Sequence, residues 1–256
     1  LKGDAMKLII SPAKKMNMAD DFLACEQLPA FLEKTGILLE YLKSLPYEAL
    51  KKLLACNDAI ARLNFERYQQ MDLRTRLTPA LLAYEGIQYQ YMAPSVFTRE
   101  QFNYVQQNLR ILSGFYGILK PMDGVVPYRL EMQAKVKTDF CRNLYDFWKD
   151  NLFCSLKKED DTLVNLASAE YSKAILPYVG TSMKVITPVF GEWVRDEIKE
   201  KGVYVKMARG EMVRYLAENH AKDPETMKGF DRLHYRFHPE YSDENTWVFL
   251  REPEEK

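Results

Sequence analysis

Histidine and cysteine are scarce in this chain: 256 residues hold three histidines and four cysteines. The cysteines (Cys25, Cys56, Cys141, Cys154) stand far apart and form no CxxC pair. That excludes a disulfide framework and a structural zinc of ordinary spacing, and it predicts free thiols in a reducing compartment. His234 and His238 stand four apart, but the intervening Tyr-Arg-Phe favours strand or loop, where that spacing does not place two ligands on one face. Also missing are a P-loop, a GxGxxG, a GxSxG and an HExxH, so the best-defined nucleotide, acyl-transfer and zinc-hydrolase motifs are out. No apolar run reaches the roughly 18–20 residues of a membrane span. No charged, apolar and small-residue signal segment opens the chain. Leu1 to Ala5 precede Met6 and read as an upstream remnant. Net charge is lacking as well, with 36 basic and 36 acidic residues. A polyanionic partner therefore requires positive charge segregated on one face.

What is present is a core. With 47% apolar and 12% aromatic residues, a chain of this length suits one large domain, read as residues 6–250. The most informative stretch is Arg110 to Glu131, RILSGFYGILKPMDGVVPYRLE. Apolar positions around Gly114-Phe-Tyr-Gly117 predict a short helix, a tight hairpin and a second short helix stopped by Pro121. Arg110, Lys120 and Arg129 leave this segment beside Ser113, Tyr116, Tyr128 and Glu131. Glycine and proline shaping a backbone that carries Arg, Lys and Tyr predict an anion-binding surface.

Around it, Lys7-Leu-Ile-Ile10 predicts a strand ending at Ser11-Pro12, which puts Lys14 where open sheets carry ligand loops. Residues 29 to 92 read as helices, and Thr98 with Gln101 as a capping box leading into the hairpin. Thr78-Pro79 reads as a helix start, and Leu144 to Leu156 as one helix. Thr162 to Leu166 is a predicted strand followed by a helix capped by Ser168. Met183 to Phe190 is another strand, and Glu192 to Lys199 pairs with Val203 to Met207. Arg209 opens a helix that includes Arg214, and Thr246 to Leu250 closes the chain as a strand. The expected class is α+β, a single domain with a mixed β-sheet flanked by helices and a helix-hairpin-helix-like element.

Several motifs then converge on a resemblance. Ser11-Pro-Ala-Lys14, Leu109 through Pro121, Pro127-Tyr-Arg-Leu-Glu-Met132, Leu144-Tyr-Asp-Phe-Trp148, Asn165-Leu-Ala-Ser-Ala-Glu-Tyr171, Pro188-Val-Phe190 and Ala208-Arg-Gly-Glu-Met-Val-Arg214 resemble the YaaA family of bacterial peroxide-stress proteins. The resemblance implies a cytoplasmic protein that protects against hydrogen peroxide by limiting free iron and oxidative DNA damage. It also implies a helix-hairpin-helix beside a cationic cleft. No cofactor is expected.

Three readings follow. In the first, backbone N–H groups from Gly114 through Tyr116 to Gly117, with Ser113 beside them and Lys14, Arg110, Lys120, Arg129, Arg209 and Arg214 around them, bind DNA largely without sequence preference. In the second, Arg129 and Arg209 clamp a small anionic or nucleotide-like substrate, Lys14 or Tyr116 handles a proton, and Glu131 serves as acid or base. In the third, His234, His238 and Glu240 sequester iron. The first two share one expectation: Lys14, Arg110, Arg129 and Arg209 lie on one concave surface.

Overall fold

The structure, a computed structural model, describes residues 6–18 and 23–252; Leu1 to Ala5, read above as a remnant, lie outside the described residues. Its main sheet has eight strands: β1 (Lys7–Ile10), β2 (Leu109–Ser113), β3 (Gly117–Leu119), β4 (Thr162–Leu166), β5 (Lys184–Val194), β6 (Glu197–Lys199), β7 (Tyr235–Phe237) and β8 (Thr246–Arg251). They lie in the order β7-β8-β5-β4-β1-β2-β3, with β6 added to β5. The inner strands β2, β1, β4, β5 and β8 are all parallel, and β3, β6 and β7 pair antiparallel. The sheet is thus mixed and flanked by helices, as expected. Burial on both faces explains why β1 is an unbroken apolar run: Leu8, Ile9 and Ile10 are fully buried.

In chain order, the parallel strands stand second, first, third, fourth and fifth across the sheet. The chain leaves β1 toward one side and later returns to its other side as β4. Such a reversal opens a crevice beyond the carboxyl ends of the two strands, where open α/β sheets bind ligands.

Most helices form where the sequence places them, including Leu32–Ser44, Tyr47–Leu54 and Asp58–Gln70. Asn57 caps the last of these, its side chain accepting from the Ile60 N–H at 3.0 Å. Thr98 and Gln101 form the reciprocal capping box at the start of the Arg99–Asn108 helix.

Five local readings need correction. The Arg110 hairpin is not helical. Ile111 pairs with Leu119, Leu112 with Ile118 and Ser113 with Gly117, so a β-hairpin forms, and Pro121 follows a strand. Two segments of five and three residues, Leu109–Ser113 and Gly117–Leu119, are too short to hold a helix period and are better satisfied by pairing β2 against β1. Thr78–Pro79 pairs with Gly124–Val125 before its helix begins at Ala80. The 144–156 helix is two, Leu144–Trp148 and Asn151–Glu159, broken at Lys149 with φ 47°. Ser168 does not cap its helix through the side chain. Finally, Val203 to Met207 belongs to the Gly202–Glu218 helix, so Arg209 lies about two turns inside it and not at its start.

Candidate functional site

β1 and β4 run parallel with Ile10 level with Leu166, so both chains leave the sheet at the same end. There the Ser11 hydroxyl donates to Ser168 Oγ at 3.1 Å, and the Ser168 N–H donates to Ser11 Oγ at 2.8 Å. The two loops are thereby tied, and a cavity of about 410 Å³ opens above them. That volume suits one small molecule.

A second wall is the extended segment Tyr128 to Glu131. It has no regular hydrogen bonding of its own and is held by side chains. The Tyr68 hydroxyl donates to the Arg129 carbonyl at 2.6 Å, and Tyr128 Oη lies 2.8 Å from Tyr84 Oη. Gly114 permits the close approach, since a Cβ there would fall 2.5 Å from the Leu130 carbonyl oxygen. The segment aims Arg129 and Glu131 at the cavity. Glu131 is clasped from both sides, by Lys14 Nζ at 3.0 Å and by an Arg129 Nη at 3.0 Å.

The third wall is the Gly202–Glu218 helix, which supplies Lys206 and Arg209, three apart on one face. It crosses the Ile87–Met92 helix at backbone contact, because Gly210 has no Cβ: one placed there would sit 2.1 Å from the Gln88 carbonyl oxygen. Gln88 and Tyr89 complete this side, with the Tyr89 hydroxyl donating to the Ser11 carbonyl at 3.0 Å.

The cavity collects five cations (Lys14, Lys15, Arg129, Lys206, Arg209) and three carboxylates (Glu85, Glu131, Glu170). Lys15 pairs with Glu85. The Arg209 side chain has no hydrogen bond or ion pair among the described residues, and burial holds its guanidinium below the usual arginine range. Three buried nitrogens that find no hydrogen-bond partner, Arg129 Nε, Arg209 Nε and Gln88 Nε2, belong to residues lining this cavity. Every one of them is a donor. Glu170 accepts from the Gln133 N–H at 3.2 Å; burial first, and then the Glu131 charge, raise its pKa above the usual carboxylate value. Tyr128 is pushed up to about 12 by burial, while its bonds to Ser113 and Tyr84 restrain the rise.

Of the residues singled out from sequence, Lys14, Tyr128, Arg129, Glu131 and Arg209 line the cavity. The other seven do not. Arg110 points to the opposite, amino end of the parallel strands, buried to 3% exposure and paired with Glu159. The expectation that it shares one concave surface with Lys14, Arg129 and Arg209 therefore fails. Lys120 donates its N–H to Asp123 Oδ2 at 2.9 Å and is outside the cavity lining, as is Arg214, paired with Glu218 at 2.7 Å. Ser113, Gly114, Tyr116 and Gly117 are buried. The Phe115 and Tyr116 N–H groups point to Ser113 Oγ at 3.1 and 2.8 Å, so these two donors are turned inward and not toward a phosphate. Tyr116 is fully buried, with its hydroxyl accepting from the Val126 N–H, which removes it as a proton carrier for any ligand. His238 contacts Glu240 at 2.9 Å; among the described residues no group of three or more His, Cys, Asp or Glu is placed to hold a metal ion.

Sequence reasoning passed over Ser11, Gln88, Ser168, Glu170 and Lys206. Ser11 and Ser168 each follow a strand end, and Lys206 precedes Arg209 by three positions, so both signals were present.

Comparison with known proteins agrees with the motif resemblance. A family model described as peroxide stress protein YaaA matches residues 6–241. A UPF0246 protein of Desulfitobacterium hafniense (strain Y51) is 60% identical over 251 residues, covering 98% of this chain and 100% of that protein. One from Agathobacter rectalis is 53% identical over 246 residues, covering 96% of this chain and 99% of its own length. One from Pediococcus pentosaceus is 48% identical over 246 residues, covering 96% and 98%.

Proposed function

The chain belongs to the peroxide stress protein YaaA family, and from that premise we propose that its cavity binds one small phosphate-bearing molecule of mononucleotide size as substrate. The observation that carries this is that Arg129 Nε, Arg209 Nε and Gln88 Nε2, buried donors without acceptors, all belong to residues lining one cavity. An unpaired buried donor costs about 1–3 kcal/mol and a buried unpaired cation more, so three in one place call for an acceptor-rich, negatively charged occupant. Position supports the same reading, since the cavity opens beyond the carboxyl ends of β1 and β4 at the strand-order reversal. Glu131 and Glu170, both lining the cavity, give it acid–base groups, which suits an enzyme better than a passive carrier.

DNA binding through the hairpin is disfavoured, because Ser113 to Gly117 are buried and the Phe115 and Tyr116 N–H groups are bonded to Ser113 Oγ. The role in limiting iron-dependent damage would then follow from the reaction on the small molecule and not from metal capture.

Calorimetric titration with nucleoside monophosphates, inorganic phosphate and a duplex oligonucleotide tests the reading. A mononucleotide should bind with one site per chain, and Arg209→Met should remove that binding. Duplex binding indifferent to Arg209→Met, with no affinity for any mononucleotide or phosphate, would overturn it.

A further inference from the structure

Glu170 differs from the other two carboxylates of the cavity. Glu131 is clasped by Lys14 and Arg129, and Glu85 pairs with Lys15. Among the described residues no Lys or Arg forms an ion pair with Glu170; its donor is the Gln133 backbone N–H at 3.2 Å to Oε1. It shares the cavity with the three unpartnered donors. An anion drawn in by Arg209 and Arg129 therefore meets a carboxyl group that has no ion-pair partner of its own. As a carboxylate Glu170 would repel that anion; as a carboxylic acid it would offer an O–H to a ligand oxygen.

We propose that Glu170 is a ligand-binding residue that acts in its protonated form, so that the cavity takes up one proton with each anion and presents it to an anionic oxygen. This rests on the anion-site reading and adds which charge state of the site is competent. The proton comes from solvent, resides on the Glu170 carboxyl in the complex, and returns to solvent when the anion leaves. In a reaction the same proton stands ready for a leaving oxygen, which makes Glu170 the general acid, with Glu131, clasped by Lys14 and Arg129, beside it.

The surroundings fit. Burial and the Glu131 charge both favour the neutral acid, while Lys14 and the amides of Gln133 and Met132 oppose it. Of the other groups facing it, Tyr145 donates its hydroxyl to the Glu170 carbonyl at 2.9 Å, with Lys173 over its ring, and Tyr171 is pushed up by burial. Neither tyrosine supplies a positive charge.

Sulfate is the probe, because it keeps one charge state across the range of interest. Calorimetry between pH 5 and 8, in buffers of different ionisation enthalpy, reads both affinity and protons exchanged. Affinity should rise as pH falls, by up to about tenfold per unit for a one-proton linkage, with net proton uptake. Glu170→Gln, which keeps the acceptor for Gln133, should bind sulfate with a flat pH response and no proton uptake. A pH-independent wild-type affinity, or an unchanged slope in Glu170→Gln, would overturn the proposal while leaving the anion site standing. Failure of sulfate and mononucleotides to bind at any pH would remove the site and this inference together.

Discussion

The Tyr128 hydroxyl lies 2.5 Å from Ser113 Oγ, and that contact joins the hairpin turn to the wall of the cavity. Ser113 Oγ already accepts from the Phe115 and Tyr116 N–H groups, so its own hydrogen points to Tyr128. The turn thus spends its donors on orienting a tyrosine. Ser113→Ala leaves two buried N–H groups and one hydroxyl short of a partner. A loss of about 1–3 kcal/mol is expected, read as a lower urea midpoint with unchanged slope.

Gly210 sets the third wall. An alanine there must push the Gly202–Glu218 helix off the Gln88 carbonyl, which a Cβ would approach to 2.1 Å. Because Lys206 and Arg209 ride on that helix, displacement moves both cations relative to Arg129. Gly210→Ala should cost roughly 1–3 kcal/mol as an overpacking change, and it should weaken sulfate binding at temperatures where the variant is still folded. Full-strength binding by a destabilised Gly210→Ala would mean that the cation spacing is not critical.

Asp123 gives a pH signature independent of the cavity. It is 1% exposed, and burial raises its pKa to about 6, although Lys120 N–H and the Gln27 amide both donate to it. The folded state therefore holds this proton more tightly than the unfolded chain, whose carboxyl titrates near the ordinary value of 3.8. Its contribution is most favourable at low pH and is lost as pH rises from about 4 through about 6, a difference on the order of 3 kcal/mol. Asp123→Asn should remove that slope, so the wild-type-minus-variant unfolding free energy should fall with rising pH across this window and be level above it. A level difference throughout would show that the group is better solvated than its burial implies.

Much of the architecture was legible because local chemistry and tertiary context agreed. Asn57, the Thr98–Gln101 box and the apolar runs of β1 and β4 carry their assignments in adjacent residues. The hairpin was misread because Arg-Ile-Leu and Gly-Ile-Leu are too short for periodicity to separate helix from strand, and β1, some hundred residues away, decides the matter. Half of the site was legible for a related reason. Lys14, Arg129, Glu131 and Arg209 stand beside chain breaks or in dense polar motifs, whereas Gln88 enters only through the Gly210 crossing, a contact no local pattern reports. Arg110 misled because a cation in a Gly-rich motif looks functional until Glu159, 49 residues on, is seen to pair with it.

The two arginines Arg110 and Arg209 should accordingly respond to removal in opposite ways. Arg110 is buried and paired with Glu159, with its remaining donors on the Gln106 and Leu109 carbonyls. Replacing it by Met takes from Glu159 its hydrogen-bonded partner, with only Lys7 left at 3.9 Å, and leaves two carbonyls short, so stability should drop by roughly 3 kcal/mol while sulfate affinity is preserved. Arg209 is largely buried with no partner among the described residues, so the folded apo protein bears the cost of desolvating its charge. Arg209→Met removes that cost and keeps most of the stem's packing. The urea midpoint should rise, by the equivalent of roughly 1 kcal/mol, as anion binding disappears. Saturating sulfate should then stabilise the wild type and leave Arg209→Met unmoved, because only a protein that binds the anion gains from mass action. If Arg209→Met lowers stability without sulfate, the guanidinium is serving the fold, and the case for an anion site must rest on Arg129 and Gln88 alone.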